Sequence, residues 1–123
     1  MVENQAIAVV TTTETLAEAQ RIAEALVAEK LIACAQIKPI DSIYRWQGEV
    51  QNSSEFQIVC KTIASNYQAI EAAIVANHSY ELPEIYGIAL THGYEPYLNW
   101  IAANSNNVPS GKDAETEGRG DRE

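Results

Sequence analysis

Two periods of hydrophobic and polar positions run along this chain. Ala6 to Thr12 (AIAVVTT) is a short apolar, β-branched run, the pattern of a buried strand. Thr15 followed three residues later by Glu18 predicts a capping box. Behind it Leu16, Ala19, Ile22, Ala23, Leu26 and Val27 recur at helical spacing, opposite Glu18, Arg21, Glu24 and Glu29. An amphipathic helix of about four turns is expected there. Leu31 to Trp46 is a second extended region, and Pro39 places it at an edge or a bulge. Gln47-Gly48 can turn the chain. Phe56, Ile58 and Cys60 then alternate with Glu55, Gln57, Val59 and Lys61, so one strand face is apolar and the other carries Glu55 and Lys61. Ser65 with Gln68 suggests a second capping box, ahead of a helix marked by Tyr67, Ile70, Ala73, Ile74 and Asn77. Glu84 to Thr91 reads as a strand, and Glu95-Pro96 opens a third helix covered by Tyr97, Leu98, Trp100 and Ile101.

This order predicts an α+β fold, a ferredoxin-like βαββαβ sandwich with an extra C-terminal helix. The helices are expected on one sheet face. The other face then needs a cover for Val59, Tyr44 and Trp46, and cyclic assembly with copies of the chain supplies one. From Ser105 the composition turns to Asn, Ser, Gly, Pro and charge. Such a segment buries too little to offset its ordering entropy. The expected division is a domain over residues 1–104 and a disordered polar tail over 105–123.

The net charge of −9 argues against nucleic acid and against anionic membrane surfaces, since both need clustered Lys and Arg. Arg21, Lys30, Lys38, Arg45 and Lys61 form no stripe. No apolar run reaches the length of a membrane span, and the cytoplasm is the expected location. The two cysteines, Cys34 and Cys60, make no C-x-x-C pair. No Gly-rich phosphate loop, H-E-x-x-H or triad motif appears, so no enzyme is expected.

Ala33-Cys34, Ser42-Ile43-Tyr44-Arg45-Trp46-Gln47-Gly48, Glu55, Lys61-Thr62, His78-Ser79-Tyr80-Glu81-Leu82-Pro83-Glu84-Ile85 and Tyr97-Leu98-Asn99-Trp100 together resemble the signature of the CutA family. The likeness covers about residues 6 to 103. It implies a ferredoxin-like homotrimer with clefts at the subunit boundaries, and a role in divalent-cation tolerance. It also implies copper (Cu2+) or another divalent cation as a weakly bound ligand, and no organic cofactor. The same architecture resembles the PII signalling proteins, which hold small effectors between subunits. Some family members carry a cysteine after the first strand, proposed as a copper ligand. Thr11 stands there in this chain, and a hydroxyl is a poor ligand for a soft metal.

Three functions are therefore open. The first is a non-catalytic, cation-binding homotrimer, with His78, Cys34, Glu81 and Glu84 as candidate metal ligands. Imidazole and thiolate suit copper, but a site needs three or more ligands. Against it, a histidine at a helix end also serves the helix dipole. The second is a PII-like sensor binding a small anionic effector in an intersubunit cleft. Its candidate residues are Tyr44, Trp46, Glu55, Lys61, Tyr80, Tyr97 and Trp100. Aromatic residues also anchor subunit interfaces, and an intersubunit ion pair also accounts for Glu55 and Lys61. Those two lie six residues apart, about 20 Å along a strand, and cannot pair with each other. The third is a structural trimer that docks other proteins. His92, at a strand end before Gly93, reads as a surface residue.

Overall fold

The structure is a computed structural model and describes residues 4–107. In chain order it has β1 (Ala6–Thr13), α1 (Leu16–Ala28), β2 (Cys34–Trp46), β3 (Glu49–Ile63), α2 (Tyr67–Asn77), β4 (Ile85–Ala89) and α3 (Glu95–Asn104). The four strands make one antiparallel sheet in the order β2-β3-β1-β4. This is the ferredoxin-like arrangement. Pro39 lies on β2, an edge strand, where its missing N–H leaves no gap inside the sheet.

β1 is buried along its whole length because it sits between β3 and β4. Its Ile7 and Val9 join Ile58 and Cys60 of β3, the apolar stripe of α1, and Ile70 and Ile74 of α2 in a single core. Side chains alternate across a strand, so the other face carries Ala8, Val10, Gln36, Val59 and Lys61. Here the structure departs from expectation. Cys34 pairs with Lys61 on this second face, and its Sγ lies 3.9 Å from Oη of Tyr97. α3 therefore crosses the face opposite α1 and α2, and the helices do not all share one side.

The first helix begins as its sequence predicts, with Glu18 N–H donating to Thr15 Oγ1 at 3.1 Å. The reciprocal half of the capping box is missing, because the Glu18 carboxylate turns to Ser79. At its other end Lys30 takes φ 60, with Lys30 N–H on Val27 O and Leu31 N–H on Leu26 O. That is a Schellman ending with lysine in the usual glycine position. The second box is not formed. A 3₁₀ turn over Ala64–Asn66 precedes α2, and Asn66 spends its amide on the carbonyls of Leu31 and Ser105. Within the segment expected as tail, Ser105 is buried and Asn107 donates to the Glu29 carbonyl at 2.6 Å. Its remainder, 108–123, lies outside the described residues.

β2 and β3 pair without interruption from Cys34↔Lys61 to Trp46↔Glu49. Gln47 (φ 52) and Gly48 (φ 81) close the hairpin with two positive-φ residues, the geometry of a type I′ turn. The hairpin outruns the helices. Ile43 and Val50, on the helix side of the sheet by parity, are 72% and 65% exposed.

Two outcomes follow from the core. Thr11 is fully buried and its Oγ1 has no hydrogen-bond partner among the described residues. Thr11→Val keeps the shape and removes the stranded hydroxyl, so it should raise stability by about 1 kcal/mol in thermal unfolding at fixed protein concentration. Burial pushes the Cys60 thiol from 9.0 up to about 12, with Cys34 adding to the rise and Lys61 opposing it. The unfolded chain then loses this proton before the folded one. Stability should fall as pH climbs from 9 towards 12, and Cys60→Ala should flatten the first part of that decline. An identical slope in the variant would refute the assignment.

Candidate functional site

The hairpin and the loop between α2 and β4 enclose a cleft of about 460 Å³. Tyr44 and Trp46 of β2 and Glu55 of β3 face it from the same side of the sheet, because Trp46↔Glu49, Tyr44↔Gln51 and Ile40↔Glu55 are in one parity. Tyr80, Glu81 and Glu84 come from the loop, and Arg45 of β2 also lines the cleft. Glu55 is buried, and Tyr80 Oη donates to its Oε2 at 2.6 Å. Burial holds the Tyr80 phenol far above its ordinary range, and the Glu55 carboxylate, Glu14 and Tyr44 push the same way. Tyr80 thus remains a donor, which leaves Glu55 as acceptor.

The loop is held by His78 and Glu18. The His78 ring is buried, with Nε2 2.7 Å from the Thr12 carbonyl and Nδ1 accepting from Tyr80 N–H at 3.0 Å. A carbonyl only accepts and an amide N–H only donates, so these partners put the proton on Nε2. The ring also lies against Tyr80, centroids 4.9 Å apart. Glu18 accepts from both N–H and Oγ of Ser79, at 2.8 and 3.0 Å, with Oε2 3.6 Å from His78 Nδ1. β4 pairs with β1 only as far as Thr11↔Ile85, so the loop occupies the flank that β4 leaves open.

The candidate residues fall into two groups within one chain. Tyr44, Trp46, Glu55, Tyr80, Glu81 and Glu84 meet at the cleft. Cys34, Lys61, Tyr97 and Trp100 gather at the far end of the hairpin strands. There Lys61 Nζ donates to Gln36 Oε1 at 2.8 Å, and Tyr97 stacks on Trp100 at 5.9 Å. Lys61 and Trp46 are thus at opposite ends of the hairpin, and any joint cleft between them needs a second subunit. Nor are His78, Cys34, Glu81 and Glu84 gathered. Among the described residues no group of three or more His, Cys, Asp or Glu is placed to hold a metal ion. Both ring nitrogens of His78 are already engaged. His92 is exposed, with Nδ1 3.1 Å from Thr91 Oγ1.

Sequence reasoning missed Glu18, Ser79 and Thr12. The helical period of α1 places Glu18 on its solvent side, yet it is buried. Its only signal was its place in the capping box, where one carboxylate had two competing uses.

The family model of the CutA1 divalent ion tolerance protein matches residues 7–104. The chain belongs to this family. It is similar to the divalent-cation tolerance protein CutA of Citrobacter koseri, 37% identical over 101 residues, which cover 81% of this chain and 88% of that one. It is also 37% identical over 89 residues to the chloroplastic CutA protein of Arabidopsis thaliana, covering 72% of this chain but only 49% of the plant protein. Among solved structures, CutA1 from Oryza sativa superimposes with a TM-score of 0.81 at 32% identity, covering 85% of this chain and 96% of that one. The periplasmic divalent cation tolerance protein CutA from Archaeoglobus fulgidus gives 0.80 at 33%, covering 82% and 99%. The CutA1 match thus takes in all of the strands and helices described above except Ala6, the first residue of β1.

The cleft predicts a coupled pair. Tyr80→Phe removes the donor from a buried carboxylate and should cost about 2 kcal/mol in thermal unfolding. In a Glu55→Gln background the same change should cost clearly less, since no charge is stranded. Equal losses in both backgrounds would show that the pair carries no coupling.

Proposed function

We propose that the protein is a divalent-cation tolerance protein without catalytic activity, working as a homotrimer that takes copper or another divalent cation weakly. The observation that carries this is the family match over residues 7–104, together with the names its relatives bear. The trimer is supported by the bare apolar surface of the hairpin, where Ile43 and Val50 project beyond the helices, and by Tyr86 and Ile88 on the open sheet face. Weak binding follows from the scatter of the ligands. Glu81 and Glu84 offer oxygen donors at the cleft, and the remaining ligands must come from water or another subunit. His78 can join them only by giving up the Thr12 carbonyl or the Tyr80 N–H.

The proposed compartment is the cytoplasm, which two free thiols in a small chain fit. One relative is named chloroplastic and one solved neighbour periplasmic. Among the described residues no helix is long and apolar enough to cross a membrane.

A second reading, a PII-like sensor, is favoured by the cleft itself, whose size suits a small molecule. The third, a docking trimer, predicts neither ligand.

Sedimentation at micromolar concentration should give a trimer, and a monomer would overturn the assembly. Calorimetric titration with copper(II) and zinc(II) should show saturable binding that is lost in Glu81→Gln/Glu84→Gln. Loss in His78→Ala, with the carboxylate variant unaffected, would make the imidazole the ligand instead. No heat from either metal would overturn the cation reading.

A further inference from the structure

The cleft has a chemistry that neither metal tolerance nor anion sensing accounts for. Its most buried carboxylate is Glu55, only 6% exposed. A buried carboxylate is normally matched by a cation, because desolvating an unpaired charge is costly. Glu55 has the Tyr80 hydroxyl and no ion-pair partner among the described residues. Lys61, on the same face of the same strand, is committed to Gln36 at the other end. Among the described lining residues one fixed positive charge, Arg45, is set against three carboxylates, Glu55, Glu81 and Glu84. The field in the cleft is therefore negative, and an anionic ligand would enter against it.

The walls narrow the choice of cation. Trp46 and Tyr44 present their rings from the same sheet face as Glu55, at 36% and 43% exposure. Aromatic faces attract ammonium groups and also pack against methylene chains. A bare divalent metal gains little from such walls. It also needs its oxygen donors converged on one point, and no such convergence exists among the described residues. Carboxylates spread along an aromatic-walled groove instead suit a ligand that carries its positive charges apart. The volume of about 460 Å³ holds a chain of several methylenes with an ammonium at each end.

We propose that this cleft binds a linear organic di- or polyamine. One ammonium lies against Glu55 and is caged by Trp46 and Tyr44, and the second reaches Glu84 or Glu81 on the loop. This rests on the sensor reading of the cleft and replaces its anionic effector with a cationic one. Tyr80 has a positioning part. It donates to Glu55 Oε2 and so holds the carboxylate in place for the incoming ammonium. The loop carries one set of contacts and the hairpin the other, so ligand would brace the two against each other.

The test is calorimetric titration of the full-length protein at constant ionic strength with 1,4-diaminobutane, butylamine, magnesium chloride and inorganic phosphate. The diamine should bind saturably and more tightly than butylamine. Glu55→Gln, which keeps an acceptor for Tyr80, should weaken both amines by about tenfold or more. Glu84→Gln/Glu81→Gln should weaken the diamine while leaving butylamine unchanged. Trp46→Ala should cost about threefold, the scale of an exposed cation–π contact. Diamine binding that is indifferent to Glu55→Gln, or that magnesium abolishes at equal concentration, would reduce the site to a general acidic surface and overturn the proposal. Binding of phosphate without the diamine would overturn the diamine while sustaining a sensor. Silence from all four probes would overturn both.

Discussion

The unbroken pairing of β2 with β3 is the constraint on which the rest depends. Thirteen cross-strand pairs run from Cys34↔Lys61 to Trp46↔Glu49 with no bulge between them. Because side chains alternate with a strict period of two, that register decides which residues can ever meet. It places Tyr44, Trp46 and Glu55 on one face, and Ile37, Ile58 and Cys60 on the other. A slip of one residue would send Glu55 into the core and Ile58 to the open side. The register also sets the length of the overhang. The lower half of the hairpin is packed under α1 and α2, while the upper half stands clear and forms one wall of the cleft.

The other wall has a different origin. The loop from His78 to Glu84 has no ladder to hold it, so its position depends on side chains. Glu18 holds Ser79, while His78 ties Thr12 to Tyr80. The link from α1 to the cleft therefore passes through one carboxylate and one imidazole, and the placement of Tyr80 against Glu55 is their product. Of the candidate metal ligands in the sequence, the His78 imidazole is here used to fasten a loop. Whatever the cleft binds must either use the groups left over, Glu55, Glu81 and Glu84, or displace these fastenings.

The elements were legible because periodicity reports burial, and burial organises most of this chain. The strand at Ala6, the stripe of α1, the alternation through Phe56, Ile58 and Cys60, and the turn at Gln47-Gly48 all express one local rule each. What failed were choices among competing partners. Glu18 could close its own capping box or reach Ser79, and only the folded chain brings Ser79 close. Asn66 takes distant carbonyls, and a 3₁₀ turn stands where a capped start was expected. The placement of α3 depends on the length and direction of the segment after β4, which no hydrophobic period encodes. For the site, residue types were readable and their grouping was not. Lys61 and Trp46 are candidates for one intersubunit cleft, and within a single chain the hairpin holds them at opposite ends.

The imidazole of His78 has one more consequence. β4 ends its pairing at Thr11, so the next carbonyl along β1 would face outward with its hydrogen-bonding capacity unspent. His78 fills that place with a ring nitrogen instead of a peptide. An open sheet edge is a template onto which another strand can add. Here the template stops short, because the ring takes the acceptor and offers no onward ladder. The histidine works as a terminator of the sheet, limiting lateral growth of the edge to the few residues alongside β4.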